Sequence, residues 1–530
     1  MYRHSSQCAP RHAGAACARE RAMLAEGCAA PLVVGALFLL AMTGCGSGTV
    51  TPPSAVPGPP PALTITDVQN VVQAGAEAAD PDTMVIAVVD RAGRVLAVFR
   101  KPNAPGAATG NFGLTVDAND LAVALARTAA FFSNDQAPLS SRTVRFISGI
   151  HFPPGVQNAP NGALYGIENT NRGCTLATNY LPGQQVPIPS ALNGGLGLGI
   201  VTGKPGVNDS DPNAVSPGGV PIFENGVVIG GVGVAGVSPN IAEYAAFAAA
   251  TSNGFGPTPA APGVVFIDGV ALPFVNQTTR PAGINSGTMS GSYLVSPVAS
   301  PGQPPEGDLV APANGPVGGL SASEVRQILD AAEQTANQTR AVIRLPIGSR
   351  TRMAIAVADL DGTIIGLRRM QDSTVFSIDV AVTKARNMVY FNSASRTAAD
   401  LTDVPMGTAA TNRTISFGAQ PLYPPGIDGS LAGPFFNIYL RDVANPCTQG
   451  FQPPGPNQSG VVFFPGSVPL YRNGVLVGGL GVSGDGVEQD DFVANGGAAN
   501  FQAPLAIRAD QVFVQGVRLP YLKFPRNPTN

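Results

Sequence analysis

The sequence predicts an α+β protein of two tandem domains, each an antiparallel β-sheet flanked by α-helices and interrupted by long Pro/Gly-rich insertions. The first observation is a set of matched blocks. MVIAVVDRAGRVLAVFR at 84–100 returns as MAIAVADLDGTIIGLRR at 353–369, and VPIFENGVVIGGVGVAG at 220–236 returns as VPLYRNGVLVGGLGVSG at 468–484. A third pair, VVFIDGVALPFV at 264–275 and QVFVQGVRLPYL at 511–522, keeps the same order. The second observation is that each block reads as a hairpin, which requires antiparallel pairing. Thirdly, stretches of helical periodicity separate the hairpins, giving an α-ββ-α-ββ-α-ββ order and an α+β class.

Each copy opens with a helix. Ser321 and Glu324 form a capping box ahead of Val325, Ile328, Leu329 and Ala332, and Thr64 and Asp67 play the same parts ahead of Val68, Val71 and Val72. The first hairpin turns at Asp90–Gly93 or Asp359–Gly362 and ends in Arg100 or Arg369. An Ala-rich second helix follows at 121–132 and 380–391, suited to close packing on a sheet. Long irregular segments come next, about 140–215 and 411–465; segments of that length are more often functional or extension elements than plain connectors. Asn225-Gly226 and Asn473-Gly474 then close a type I′ hairpin, because both positions tolerate positive φ. A third helix (about 240–251 and 488–496) and a last hairpin complete each unit.

These elements give domains at 63–280 and 319–530, with a Pro/Gly/Ser-rich linker at 281–318. Residues 1–44 read as a signal peptide: Arg19 and Arg21 precede an apolar stretch from Ala29 to Met42. Met42-Thr43-Gly44-Cys45 resembles a bacterial lipoprotein box, which would place lipid on Cys45; an ordinary signal peptide with an incidental cysteine is the alternative. Residues 45–62 form a Pro/Gly tether. The expected location is therefore the cell envelope, lipid-anchored and facing the periplasm or the surface. Cys174 and Cys447 occupy equivalent places in the two copies. In an oxidising compartment such a pair is expected to be bridged, which would lock the copies as a pseudo-symmetric pair; two separate thiols are the alternative.

Charged residues make up 12% of the chain and no basic patch or tail stands out, which excludes the electrostatic footprint of nucleic-acid binding. One histidine beyond the signal and no Cys-x-x-Cys argue against a zinc site. No G-x-S-x-G is present to seat a hydrolase nucleophile. Gly230-Gly231 and Gly478-Gly479 fall within a strand rather than between strand and helix, so they read as close helix packing, not a phosphate loop.

The helix, the IAVVDRAGRVLAVFR hairpin, the Ala-rich helix and PGGVPIFENGVVIGGVGVAG together resemble the GlcG/HbpS-like family of haem-binding domains, which also occur joined to corrinoid enzymes. The resemblance covers most of each copy outside the insertions. It implies an antiparallel sheet flanked by helices, a tendency to oligomerise, and haem or a related tetrapyrrole as ligand. Copy two stays closer to the pattern: it keeps Lys384-Ala385, Ser483-Gly484-Asp485 and the acidic Glu488, Asp490 and Asp491. Copy one has Leu125 in place of the lysine and Val237-Ser238-Pro239 in the later stretch, so it is the copy expected to have lost binding if either has. Copy two departs at Gly466-Ser467, where copy one has Gly218-Gly219.

For haem iron, His151 is the obvious axial donor, and Met370 a rival in copy two. A loop histidine with a packing role and a core methionine at a hairpin end are the competing readings. Arg369, with Arg100 and Arg368, could serve the propionates of a haem held in an apolar slot. The reading that follows is an envelope lipoprotein acting as a tetrapyrrole-binding module. A haem-degrading enzyme and a structural pseudo-dimer that binds another envelope protein are the alternatives.

Overall fold

The computed structural model describes residues 60–109, 115–176, 217–256, 265–445 and 447–529. The signal segment, Cys45, nearly all of the tether and 177–216 of the first insertion lie outside them. In the first half, α1 (Ile65–Ala78) is capped by reciprocal bonds between Thr64 and Asp67 and leads to β1 (Val85–Asp90) and β2 (Val95–Arg100). A small ribbon, β3 (Ala107–Thr109) and β4 (Thr115–Asp117), precedes α2 (Ala118–Phe132) and α3 (Ser141–Phe146). The half continues with β5 (Gly219–Glu224), β6 (Val227–Ala235), α4 (Pro239–Ala250), β7 (Phe266–Ile267), β8 (Val270–Ala271) and β9 (Ser292–Val295).

The second half runs β10 (Gly307–Val310), α5 (Ala322–Gln338), β11 (Ala354–Ala358), β12 (Ile364–Arg369) and α6 (Phe376–Asn392). Its insertion contains α7 (Asn412–Gly418) and α8 (Phe436–Ala444). It closes with β13 (Ser467–Arg472), β14 (Val475–Ser483), α9 (Val487–Gly497), β15 (Phe513–Val514) and β16 (Val517–Arg518).

Two five-stranded antiparallel sheets result, ordered β5-β6-β1-β2-β9 and β13-β14-β11-β12-β10. The α+β class is therefore observed, and the four hairpin strands follow the same order in both halves, the fifth coming after them in the chain in the first half and before them in the second. The segment 281–318 is not a free linker: Ser292–Val295 and Gly307–Val310 each add an edge strand, one to each sheet. The turn aspartates tie this segment down further, Asp90 accepting from Ser300 Oγ at 3.0 Å and Asp359 from the Val317 and Gly318 amides. Covering the open edges of β2 and β12 removes exposed ladder groups. The last hairpins form separate two-stranded ribbons.

Both sheets are buried on both faces, so their strands read as unbroken apolar runs. In β1, Ile86 and Val88 join α1 and α4, whereas Val85, Ala87 and Val89 turn toward α2. In β11, Ile355 and Val357 join α5 and α9, and the alanines turn toward α6. The α2 and α6 sides of the two sheets share one core. The end of α2 meets the start of α6, where Val375 N donates to Phe131 O at 3.0 Å and the Phe132 and Phe376 rings stack with centroids 4.0 Å apart. The glycines of β6 and β14 set the helix distance. A Cβ at Gly233 would lie 2.0 Å from Ala122 O, and one at Gly481 2.1 Å from Ala381 O. Cys174 and Cys447 are disulfide-bonded with their Cα atoms 5.3 Å apart, which ties the two insertions together.

Candidate functional site

The inner faces of the two halves leave a cavity of about 680 Å³ between them. This lies within the range of roughly 300–1,000 Å³ usual for small-molecule sites. The first half supplies Phe132 from the end of α2, Leu139, Ile147, Leu164, and Ile267 with Asp268 from the β7–β8 turn. The second half supplies Ile343, Phe376 and Phe464, the Ser483–Asp490 stretch apart from Asp485, and Lys523 to Arg526. The walls are mainly apolar, and the β14–α9 junction brings polar groups to one side. Gly486 makes that junction possible: its φ of 147° is one that L side chains rarely adopt, and a Cβ there would meet Gln489 Oε1 at 2.3 Å. A second cavity of about 450 Å³ shares Ala163, Ile267, Phe464 and Lys523 with the first and extends it along the insertions.

Behind the polar side lies a buried charge network. Lys384 Nζ donates to Val482 O at 2.8 Å and to Asp490 Oδ2 at 3.0 Å, and stands 4.8 Å from the Phe464 ring centroid. Next in the chain, Asp491 accepts from Arg413, from the Lys523 amide and from the Gly466 amide. A second branch joins the two halves. Arg344 pairs with Asp485 and Asp372, and Asp372 also receives Arg91 of the first half at 2.5 Å. Burial is the leading cause of the raised carboxyl pKa values here: Asp490 is pushed up to about 7 against the pull of Lys384, and Asp379 and Asp442 to about 6. These three groups bind a proton more tightly folded than unfolded, where the value is 3.8. The stability they contribute is therefore complete below about pH 4 and is lost as pH rises through about 6 to 7. The melting temperature is expected to fall between about pH 5 and 7.5, and a rise across that window in a thermal-melt series would refute the assignment.

The three residues singled out for haem do not converge. His151 is buried, and its Nε2 bonds Asp428 Oδ1 at 2.6 Å, pinning one insertion to the other. Met370 lies in the core against α5 and α9, its sulfur 3.4 Å from the Met353 amide. The Arg369 guanidinium is buried and donates to the carbonyls of Ser373, Pro304 and Pro305. None of the three lines the cavity. Arg100 and Arg368 are likewise engaged, Arg100 by Asn119 and two carbonyls, Arg368 by Asp308, Asp330 and Glu333.

Lys384, Ser483 and Asp490 were visible in sequence as positions that distinguish copy two. Phe132, Phe376, Arg344 and Lys523 carried no such signal, because their roles depend on how the halves meet. A cavity of about 560 Å³ in the first half is lined by Leu125, Val237, Pro239 and Ala242, which the matched sequence blocks align with Lys384, Asp485, Val487 and Asp490. An iron porphyrin meets a partial match in the copy-two cavity. The apolar walls suit its ring and Arg526 suits its acidic side chains, with Lys523 already paired to Glu488, yet no His, Met, Cys or Tyr occurs among the described lining residues.

Fold and cavity together define a protein with a small-molecule-sized pocket between two related α+β sheets. Residues 320–499 match the HbpS-like family, described as haem degrading protein HbpS-like. The corrinoid adenosyltransferase PduO of Salmonella typhimurium is 28% identical over 192 residues, which is 36% of this chain and 40% of that protein. The chain thus spans well under half of that curated relative. Two solved structures are also similar: Klebsiella pneumoniae protein ORFY (19% identity, 34% of this chain and 90% of that one, TM-score 0.23) and the PduOC:heme complex (25% identity, 35% and 96%, TM-score 0.22).

Proposed function

We propose that this protein binds haem or a related tetrapyrrole in the cavity between its two halves, as an envelope-anchored binding module built from tandem GlcG/HbpS-like domains. The observation that carries the reading is the cavity itself. An apolar slot bordered by Phe132, Phe376 and Phe464, with Lys523 and Arg526 among its lining residues, suits a large flat ring with acidic side chains. Much of the second half's share of this wall falls within the 320–499 stretch that matches a family described by haem. The PduO relative is named for a corrinoid, and a substituted macrocycle is the chemistry common to the two descriptions. Degradation rather than storage is the second reading, favoured by the family's description alone.

Absorbance titration of purified protein with hemin and with protoporphyrin IX tests the proposal. A saturable shift with either ligand supports binding, and loss of the hemin Soret band after adding a reductant supports degradation. Reversing both surface charges, Lys523→Glu with Arg526→Glu, is expected to weaken binding about tenfold, or ~1.4 kcal/mol. No spectral change with either ligand would sink the proposal and favour the structural alternative.

Anchoring through Cys45 belongs to the same reading and rests on the apolar stretch from Ala29 to Met42 and the Met42-Thr43-Gly44-Cys45 box that follows it. Several acyl chains together hold a protein stably on a bilayer. Cys45→Ser is therefore expected to move nearly all of the protein into the soluble envelope fraction. Extraction of the unaltered protein without detergent would overturn the anchor.

A further inference from the structure

We infer that the cavity selects open-chain tetrapyrroles over closed rings, with Asp490 as the acceptor that recognises their pyrrolic N–H groups. The inference rests on the tetrapyrrole reading above and specifies its ligand.

Asp490 belongs to the cavity wall, is 2% exposed, and uses only half of its carboxylate. Oδ2 is held by Lys384 Nζ at 3.0 Å, whereas Oδ1 has no hydrogen-bond partner. The neighbouring Asp491 differs, with both oxygens engaged by Arg413, Gly466 N and Lys523 N. A buried acceptor without a donor is costly, so a ligand that brings a donor gains where one that does not leaves the cost standing. An open-chain bilin can turn its pyrrolic N–H groups toward the wall; in a metal-free porphyrin they point into the ring core, and in the iron complex all four nitrogens are bound to metal. The second half of the argument is what iron would need. His151 is taken by Asp428 and Met370 by the outer core, and the described lining residues offer iron no His, Met, Cys or Tyr. Lys384 fixes the carboxylate from behind, and Gly466, whose added Cβ would meet Lys384 Nζ at 2.5 Å and Asp490 Cβ at 2.6 Å, leaves room for the pair.

The chain carries its own control. Copy one has Leu125 and Ala242 at the positions of Lys384 and Asp490, around a cavity with no charged residue in its described wall. Lys384→Leu combined with Asp490→Ala therefore recreates a pair this fold already accommodates and leaves no buried charge unpaired.

The full protein and this double variant are titrated with protoporphyrin IX, biliverdin and hemin, following fluorescence quenching and absorbance. The unaltered protein is expected to bind biliverdin at least ten times more tightly than hemin or protoporphyrin IX. The double variant is expected to lose at least tenfold for biliverdin and less than threefold for either closed ring. Either closed ring bound as tightly as biliverdin, or more tightly, overturns the inference while leaving the tetrapyrrole reading in place. Equal losses for all three ligands assign the pair a structural role and overturn it too, and binding of none overturns both readings. The ligand ranking on unaltered protein decides the matter even if the double variant does not fold.

Discussion

Gly481→Ala should destabilise the second half by about 3 kcal/mol or more, the upper end of what overpacking costs. The added methyl would sit 2.1 Å from Ala381 O and 2.5 Å from Ala385 N, and both obstacles are backbone atoms of α6 that no rotamer change can clear. The helix must lift off β14, which opens the core shared by the two halves and displaces Lys384, whose Cβ would be 2.9 Å from the new methyl. Gly233→Ala should behave alike in the first half, because a Cβ there meets Ala122 O at 2.0 Å. Gly106→Ala is the control: nothing lies within 4 Å of its Cβ position, and the change should stay within about 0.5 kcal/mol. Urea unfolding of the three variants measures the ranking. A Gly481→Ala protein as stable as the Gly106→Ala control would show that helix contact does not set the glycine pattern.

The contrast shows what the sequence could and could not reveal. The helix starts and both turn types were legible, because each depends on local chemistry. Asn225 and Asn473 take φ near 50° ahead of a glycine near 80°, and Ser321 and Thr64 cap their helices from within four residues. The small-residue ends of β6 and β14 were legible as close packing for the same reason. The edge strands in 281–318 were not, because SYLV and GDLV are four-residue segments in a Pro/Gly-rich stretch. Their pairing is dictated by the open edges of β2 and β12, nearly two hundred residues upstream in one case and about sixty downstream in the other. The site was half legible. Comparing the copies singled out Lys384 and Asp490 as a charged departure from an apolar template. The search for an iron ligand pointed instead to His151, Met370 and Arg369, because residue type alone cannot reveal that each is engaged elsewhere.

Arg344→Ala is expected to cost about 3–5 kcal/mol near pH 8, the range for leaving a buried charge unpaired. Arg344 is 2% exposed and serves two carboxylates at once, Asp485 and Asp372, besides reaching Gln136 of the first half. Without it Asp372 keeps Arg91, but Asp485 keeps only the Arg352 amide at 2.7 Å. Burial already raises the Asp485 pKa while Arg344 opposes the rise, so removing the arginine must raise it further. The folded variant then binds a proton that the unfolded chain releases. Its deficit is full at high pH and shrinks as pH falls toward the unfolded value near 4. Unfolding measured at pH 8 and pH 5 should therefore show the variant recovering part of its loss at the lower pH, relative to the unaltered protein. Adding Asp485→Asn, which leaves no carboxylate to strand, should restore more than half of the loss at pH 8. An Arg344→Ala deficit that is equal at both pH values and unmoved by Asp485→Asn would mean that the arginine acts through packing rather than charge.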